Sequence, residues 1–164
     1  MDLGDVVEIV GGLEAADVTV WVDGGWCVDA LVGRQLRDHD DLDIAVDRAG
    51  EQALRDWLED RGYTERCDPQ DTATNFVYQD GDGRSIDVHV FGFDADGSPA
   101  YGVPYPRESL TGRASLGGIP IHCIPPEWMF RFKTEYPPRP KDLIDVQALA
   151  DAFGFTVPPS HEPW

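Results

Sequence analysis

Trp21-Val22-Asp23-Gly24-Gly25-Trp26, followed by Asp41-Leu42-Asp43-Ile44-Ala45-Val46, decides how this chain is read. The second stretch alternates, with Leu42, Ile44 and Val46 on one face and Asp41 and Asp43 on the other, so it predicts a half-buried strand. Two carboxylates one residue apart then share a face and repel each other. Such a pair is costly unless a cation sits between them or water solvates it well. A hard divalent ion with oxygen ligands, Mg²⁺ above all, suits it. In the first stretch, Val18 to Val22 is β-branched and short, which predicts a buried strand. Gly24-Gly25 breaks it and offers a turn without Cβ atoms, through which backbone N–H groups can approach phosphates.

Working outward, residues 3–16 carry Leu3, Val6, Val7, Ile9, Val10 and Leu13 at helical spacing. A short helix is expected from Trp26 to Leu31, ended by Gly33, and a further helix over 52–61, ended by Gly62. Asn75 to Tyr78 and Ser85 to Phe91 read as a hairpin around Gly81-Asp82-Gly83. On the return strand Ile86, Val88 and Val90 alternate with Asp87 and His89. Residues 92–118 are rich in Gly, Pro and Tyr and read as irregular. Ile119 to Ile124 is a last strand, Pro126-Glu127 opens a helix, and Lys141 to Phe153 is an amphipathic one. The order predicts an α/β fold with a mixed sheet flanked by helices. One domain over 1–164 is expected, with a C-terminal helical part at 125–154 and a frayed tail at 156–164.

Thirteen basic against 31 acidic residues leave a net charge of −18. A surface this negative repels nucleic acid and anionic lipid, and tolerates cationic small molecules. It also fits plain solubility or a salty cytoplasm. No apolar run approaches the ~18 residues of a membrane span, and the acidic N-terminus lacks a signal-peptide pattern, so a cytoplasmic location is expected. Cys27, Cys67 and Cys123 form no metal-site spacing and are expected to be buried small residues.

Asp23-Gly24-Gly25-Trp26-Cys27-Val28-Asp29 with Gly33-Arg34, then Arg37-Asp38-His39-Asp40-Asp41-Leu42-Asp43-Ile44, resembles the DNA polymerase β nucleotidyltransferase superfamily. The pattern is most similar to small antibiotic nucleotidyltransferases, the lincosamide nucleotidyltransferases and aminoglycoside 2″-adenylyltransferases. Lys141-Asp142, with Asp145-Val146 and Leu149, resembles their C-terminal helix motif. The resemblance implies a polymerase β-like fold in which Asp41 and Asp43 bind two Mg²⁺ ions carrying a nucleoside triphosphate, ATP or another. It implies that Asp87 shares a metal or deprotonates the acceptor hydroxyl. Gly24 and Gly25 would then meet the phosphates, and Arg34, Arg37, His39 and Lys141 are candidates to contact them. Asp29 is expected to pack or cap near the Gly-Gly turn. His89 reads as a hydrogen-bonded structural histidine or an acceptor contact. Trp26, Tyr101, Tyr105 and Trp128 read as core aromatics or stacking platforms. Lys133 and Glu135 stand where the family pattern has His and Gly ahead of its Tyr, a departure that leaves the substrate pocket unassigned by the resemblance.

The expected activity is transfer of a nucleoside monophosphate, AMP from ATP, to a hydroxyl of a small cationic antibiotic-like acceptor, releasing pyrophosphate. Alternatives are a minimal nucleotidyltransferase that modifies a protein partner, as in toxin–antitoxin pairs, a nucleotide-binding protein without turnover, and a D-x-D glycosyltransferase. Neither nucleic acid nor membrane is expected as a partner. Small relatives are often dimers that share a cleft, so a homodimer is one expectation.

Overall fold

A computed structural model describes residues 1–67 and 69–162. In chain order the elements are α1 (Leu3–Ala15), β1 (Val20–Val22), α2 (Gly24–Val32), β2 (Asp41–Asp47), α3 (Glu51–Glu59), β3 (Thr64–Glu65), β4 (Asn75–Gln79), β5 (Ser85–Phe93), β6 (Pro99–Gly102), β7 (Gly112–Leu116), β8 (Ile119–Cys123), α4 (Pro126–Thr134) and α5 (Pro140–Phe153). The strands form one mixed sheet ordered β3-β4-β5-β2-β1-β8-β7, with β6 paired to β5. Helices flank it, so the α/β expectation holds. Among the described residues no helix is long and apolar enough to cross a membrane.

Local chemistry accounts for the main elements. Asp2 caps α1 and exchanges hydrogen bonds with Asp5, closing a capping box. The helix then buries Val6, Ile9, Val10 and Leu13, one stripe at i, i+3, i+4, i+7. On β2, Leu42, Ile44 and Val46 are fully buried. Asp41 and Asp43 on its other face stay partly open. Antiparallel pairing of β2 with β1 and parallel pairing with β5 put β2 mid-sheet. Valine, isoleucine and leucine from β1, β2, β5 and β8 fill the core beneath α1 and α2.

Four expectations change. Gly24 and Gly25 do not form a free-standing turn. They are the first residues of α2, whose N-cap is Asp23. Residues 92–118 are not irregular, since they hold β6, a 3-10 turn at Arg107–Leu110 and β7. Their glycines allow close strand approach rather than looping: a Cβ on Gly102 would lie 2.0 Å from the Val90 carbonyl oxygen, and one on Gly112 2.4 Å from that of Cys123. The tail is tied down as well. Pro159–His161 is a 3-10 turn, and the buried His161 ring donates from Nε2 to the Tyr136 carbonyl at 3.1 Å. The last two tail residues, 163 and 164, lie outside the described residues. Finally, Cys67 is exposed, while Cys27 and Cys123 are buried thiols.

Candidate active site

Three elements converge on the acidic pair. Parallel pairing of β2 with β5 makes Asp43 and Asp87 register partners, side by side on neighbouring strands. The Asp23 backbone N–H donates to the Asp43 carbonyl at 2.9 Å, and the Asp23 carboxylate accepts from the Gly24 N–H at 2.7 Å. The start of α2 is thereby pinned onto Asp43. Gly24 has φ +60°, and a Cβ there would lie 1.9 Å from Asp43 Oδ2. A Cβ on Gly25 would lie 2.5 Å from His39 Nδ1 and 2.6 Å from Arg37 Nη2. Both glycines therefore admit side chains of the site; the Gly24 N–H is taken by the Asp23 cap, and the next N–H groups of this first turn stand at a helix N-terminus, where anions are favoured.

Burial, then the charges of Asp41 and Asp23, push the Asp43 carboxyl up to about 7. A chain of two hydrogen bonds and one longer ion-pair contact borders it. The Tyr105 hydroxyl donates to Asp23 Oδ2 at 2.6 Å, His89 Nδ1 lies 2.9 Å from that hydroxyl, and His89 Nε2 lies 3.5 Å from Asp87 Oδ1. Burial alone would lower the His89 pKa, but Asp23 and Asp87 outweigh it and push the ring up to about 10. Burial would raise Asp23, yet the His89 ring and the Tyr105 hydroxyl hold it below its usual value. Among the described residues, Asp43, Asp87 and His89 are the group with metal-ligand atoms all within 4.8 Å of one another. Asp87 Oδ1 is buried without a hydrogen-bond partner. A carboxylate oxygen of that kind, beside a second carboxylate, fits a divalent cation.

The same residues line a cavity of about 550 Å³. The sheet contributes the carboxylates, and α4, α5 and the β2-side loop contribute Lys133, Arg139, Lys141 and Arg37. The chain's two lysines both line it. Lys133 is nearly buried, its Nζ 2.8 Å from Asp145 Oδ2 and 3.6 Å from Asp142 Oδ1. Burial would lower its pKa, but Asp145 outweighs this and keeps it a cation. Arg37 donates twice to the same Asp145, from Nε at 3.1 Å and Nη2 at 2.9 Å. Such bidentate geometry fixes the loop before β2 against α5.

Of the residues singled out in the sequence, Asp41, Asp43, Asp87, Gly24, Gly25, Arg37, His39 and Lys141 all line this cavity. Arg34 does not. It is exposed and follows Gly33, the left-handed C-cap of α2, at the opposite end of that helix from Gly24. Nine helical residues at ~1.5 Å each carry it some 13 Å away. His39 is 5% exposed, meets Asp29 Oδ2 through Nε2 at 2.5 Å, and packs on Trp26 at 4.4 Å between centroids. It shapes the wall beside Gly25. Asp29 packs rather than caps: it lies in α2, holds His39 beside Gly25 and accepts from the Leu36 N–H at 3.1 Å. Among the four aromatics, Trp26 is core, Tyr101 lies under Arg48 at 4.1 Å, and Tyr105 faces the cavity. Sequence reasoning did not assign Arg139, Asn75 or Asp23 to the site, and it met Lys133 only as a departure from the family pattern at the pocket, without a role. The scarcity of lysine was a signal for Lys133.

The chain matches the family model for aminoglycoside-2″-adenylyltransferase over residues 5–149. A lincosamide resistance protein of Staphylococcus haemolyticus is 29% identical over 141 residues, 83% of this chain and 86% of that protein. A 2″-aminoglycoside nucleotidyltransferase of Klebsiella pneumoniae is 40% identical over 74 residues, 42% of this chain and 41% of the relative. Among solved structures, the lincomycin-bound lincosamide adenylyltransferase LnuA superposes with a TM-score of 0.77 at 26% identity, covering 91% of this chain and 96% of that one. ANT(2″)-Ia in complex with adenylyl-2″-tobramycin has the same fold, with a TM-score of 0.74 at 20% identity over 93% of this chain and 89% of its own.

Proposed function

The chain belongs to the aminoglycoside-2″-adenylyltransferase family and is a nucleotidyltransferase, and from this we propose that it transfers AMP from ATP to a hydroxyl of a small antibiotic-like acceptor, a lincosamide or an aminoglycoside, releasing pyrophosphate. The observation that carries the reading is one cavity with two chemistries. Asp43 and Asp87 stand abreast on the sheet, and both lysines of a strongly acidic chain line the same space.

Each wall has a task. Lys133, Arg139, Lys141 and Arg37 attract a triphosphate, and the N–H groups at the start of α2 face the same cavity. Asp87 is the base. The acceptor oxygen attacks the α-phosphorus, its proton passes to Asp87, the bond to the bridging oxygen breaks, and the pair leaves with pyrophosphate. A positioned base of this kind contributes roughly 10²–10⁴ in rate. Asp43, Asp87 and Asp41 are the residues that would hold divalent ions. A bound divalent ion neutralises charge on the α-phosphate and on the leaving pyrophosphate. A 550 Å³ cavity suits small molecules rather than a folded protein partner.

Purified protein with ATP, Mg²⁺ and lincomycin or tobramycin is expected to release pyrophosphate and yield an adenylylated acceptor by mass spectrometry. No product with a panel from both antibiotic classes would sink the acceptor assignment. Asp87→Asn is expected to bind ATP with kcat reduced at least ~10²-fold; near-normal turnover would remove Asp87 as the base.

A further inference from the structure

We propose that His89 is itself a metal ligand, binding through Nε2 the divalent ion held by Asp43 and Asp87, so that the site is a mixed nitrogen–oxygen centre open to Mn²⁺ or Co²⁺ as well as Mg²⁺. The inference deepens the functional reading and rests on its assignment of Asp43 and Asp87 as metal-binding.

Topology supplies the donor set. Asp87 and His89 are two apart on β5 and so share a face, and Asp43 is the register partner of Asp87 on β2. Their three donor atoms lie within 4.8 Å of one another. Two ligands at ~2.1 Å from one ion stand at most ~4.2 Å apart, so the donor atoms lie close to the spacing that a shared ion requires. The ring is also held as a ligand's would be. Its Nδ1 is engaged by the Tyr105 hydroxyl at 2.9 Å, and that hydroxyl is fixed on Asp23 at 2.6 Å. Ligating histidines characteristically have their other ring nitrogen tied in this way, which fixes the ring's orientation. Tyr105 is 4% exposed and packs edge-on against Phe91 and Phe132, so its hydroxyl has a defined position. Finally, Asp87 Oδ1 is buried and accepts no hydrogen bond, and its polar neighbour is His89 Nε2 at 3.5 Å, an ion-pair contact. An ion shared by the two residues supplies that partner.

A nitrogen donor changes which ion is preferred. Carboxylates suit Mg²⁺ and Mn²⁺, whereas imidazole adds affinity for later first-row ions. The competing account makes His89 a cation that offsets the surrounding carboxylates. The two accounts give opposite signs. Titration calorimetry of the nucleotide-free protein with CoCl₂ and with MgCl₂ separates them. If His89 is a ligand, His89→Gln weakens Co²⁺ binding at least ~10-fold and changes Mg²⁺ less than ~3-fold, because Gln keeps an oxygen that Mg²⁺ accepts. Tyr105→Phe, which frees the ring, weakens Co²⁺ by a smaller factor. If His89→Gln tightens both ions, or alters neither, the proposal is wrong. The wild-type protein gives a second readout independent of that variant's folding: a Co²⁺-ligated imidazole shows a paramagnetically shifted, exchangeable N–H proton in its NMR spectrum, and its absence overturns the assignment. Asp43→Asn separates the two levels of inference. Unchanged metal binding in that variant sinks the carboxylate site itself, while lost binding there with an indifferent His89→Gln sinks only the role of His89.

Discussion

Asp43 is an expensive residue in the metal-free protein. Its carboxyl titrates near 7 rather than near 4, because burial and the charges of Asp41 and Asp23 disfavour ionisation. A folded-state pKa raised above the unfolded value means stability that is full below pH ~4 and lost as pH rises toward 7. Asp43→Asn is therefore expected to stabilise the metal-free protein at pH 8 by about 1–3 kcal/mol and to flatten that slope, while abolishing turnover. Thermal melts at pH 5 and pH 8 check both; a lower melting temperature at pH 8 would contradict the charge argument. Gly24 is the second single position on which the site turns. Gly24→Ala forces a Cβ into Asp43 Oδ2 at a positive φ, so a loss of about 1–3 kcal/mol and of most activity is expected. Urea unfolding and a pyrophosphate assay measure the two. That glycine was legible in the sequence as a residue needing close approach. What it approaches was not, since the proximity of Asp43 depends on how α2 leaves β1.

Helices α4 and α5 form the cationic wall, and their hold on the loop before β2 passes through one carboxylate. Asp145 is fully buried and carries both Lys133 and Arg37. Removing it strips Arg37 of its bidentate partner and leaves Lys133 only the longer contact to Asp142 at 3.6 Å, so Asp145→Ala is expected to cost about 3–5 kcal/mol, measured by urea denaturation. A cost below ~1 kcal/mol would mean that the pair is solvated. Asp142, next to it, is held down to about 2: burial would raise it, but Arg139 and Lys133 outweigh that. A depressed carboxyl pKa gives stability that is complete above pH ~4 and lost as pH falls toward 2. Asp142→Asn is expected to blunt this acid-side loss in melts between pH 5 and pH 2. Periodicity made α1, β2 and β5 readable from sequence, because each has one apolar face against one polar face, whereas α5 was readable as a helix but not as one that buries Asp142 and Asp145. Periodicity failed for β6 and β7, which are short, Gly- and Pro-bearing, and recognisable only by the strands they pair with. Arg34 was misplaced although the helix ended by Gly33 was expected, because the motif was taken as one cluster and the length of that helix was not applied to it.

The chain as a whole carries −18, yet its cavity gathers both lysines and two arginines. Such a body repels a nucleotide at long range and attracts it at contact, and does the reverse for a polycationic acceptor. Raising ionic strength from ~10 to ~150 mM shortens the Debye length from ~30 to ~8 Å, which screens the body more than the contact. The association rate of ATP is expected to rise with salt while that of tobramycin falls, in stopped-flow measurements on one preparation. Salt slopes of the same sign for both would contradict this picture of the charge. This polarity was half visible beforehand: the net charge follows from counting, but the clustering of cations needs the ends of the chain brought together. Arg37 and Asp145, 108 residues apart, make that closure. The same contact sets the order of events at the ribosome. Arg37 emerges with the carboxylate sheet but has no Asp145 to hold it until α5 is synthesised, so the nascent chain carries an incomplete pocket, and assembly of the site waits on one of the longest loops the chain must close.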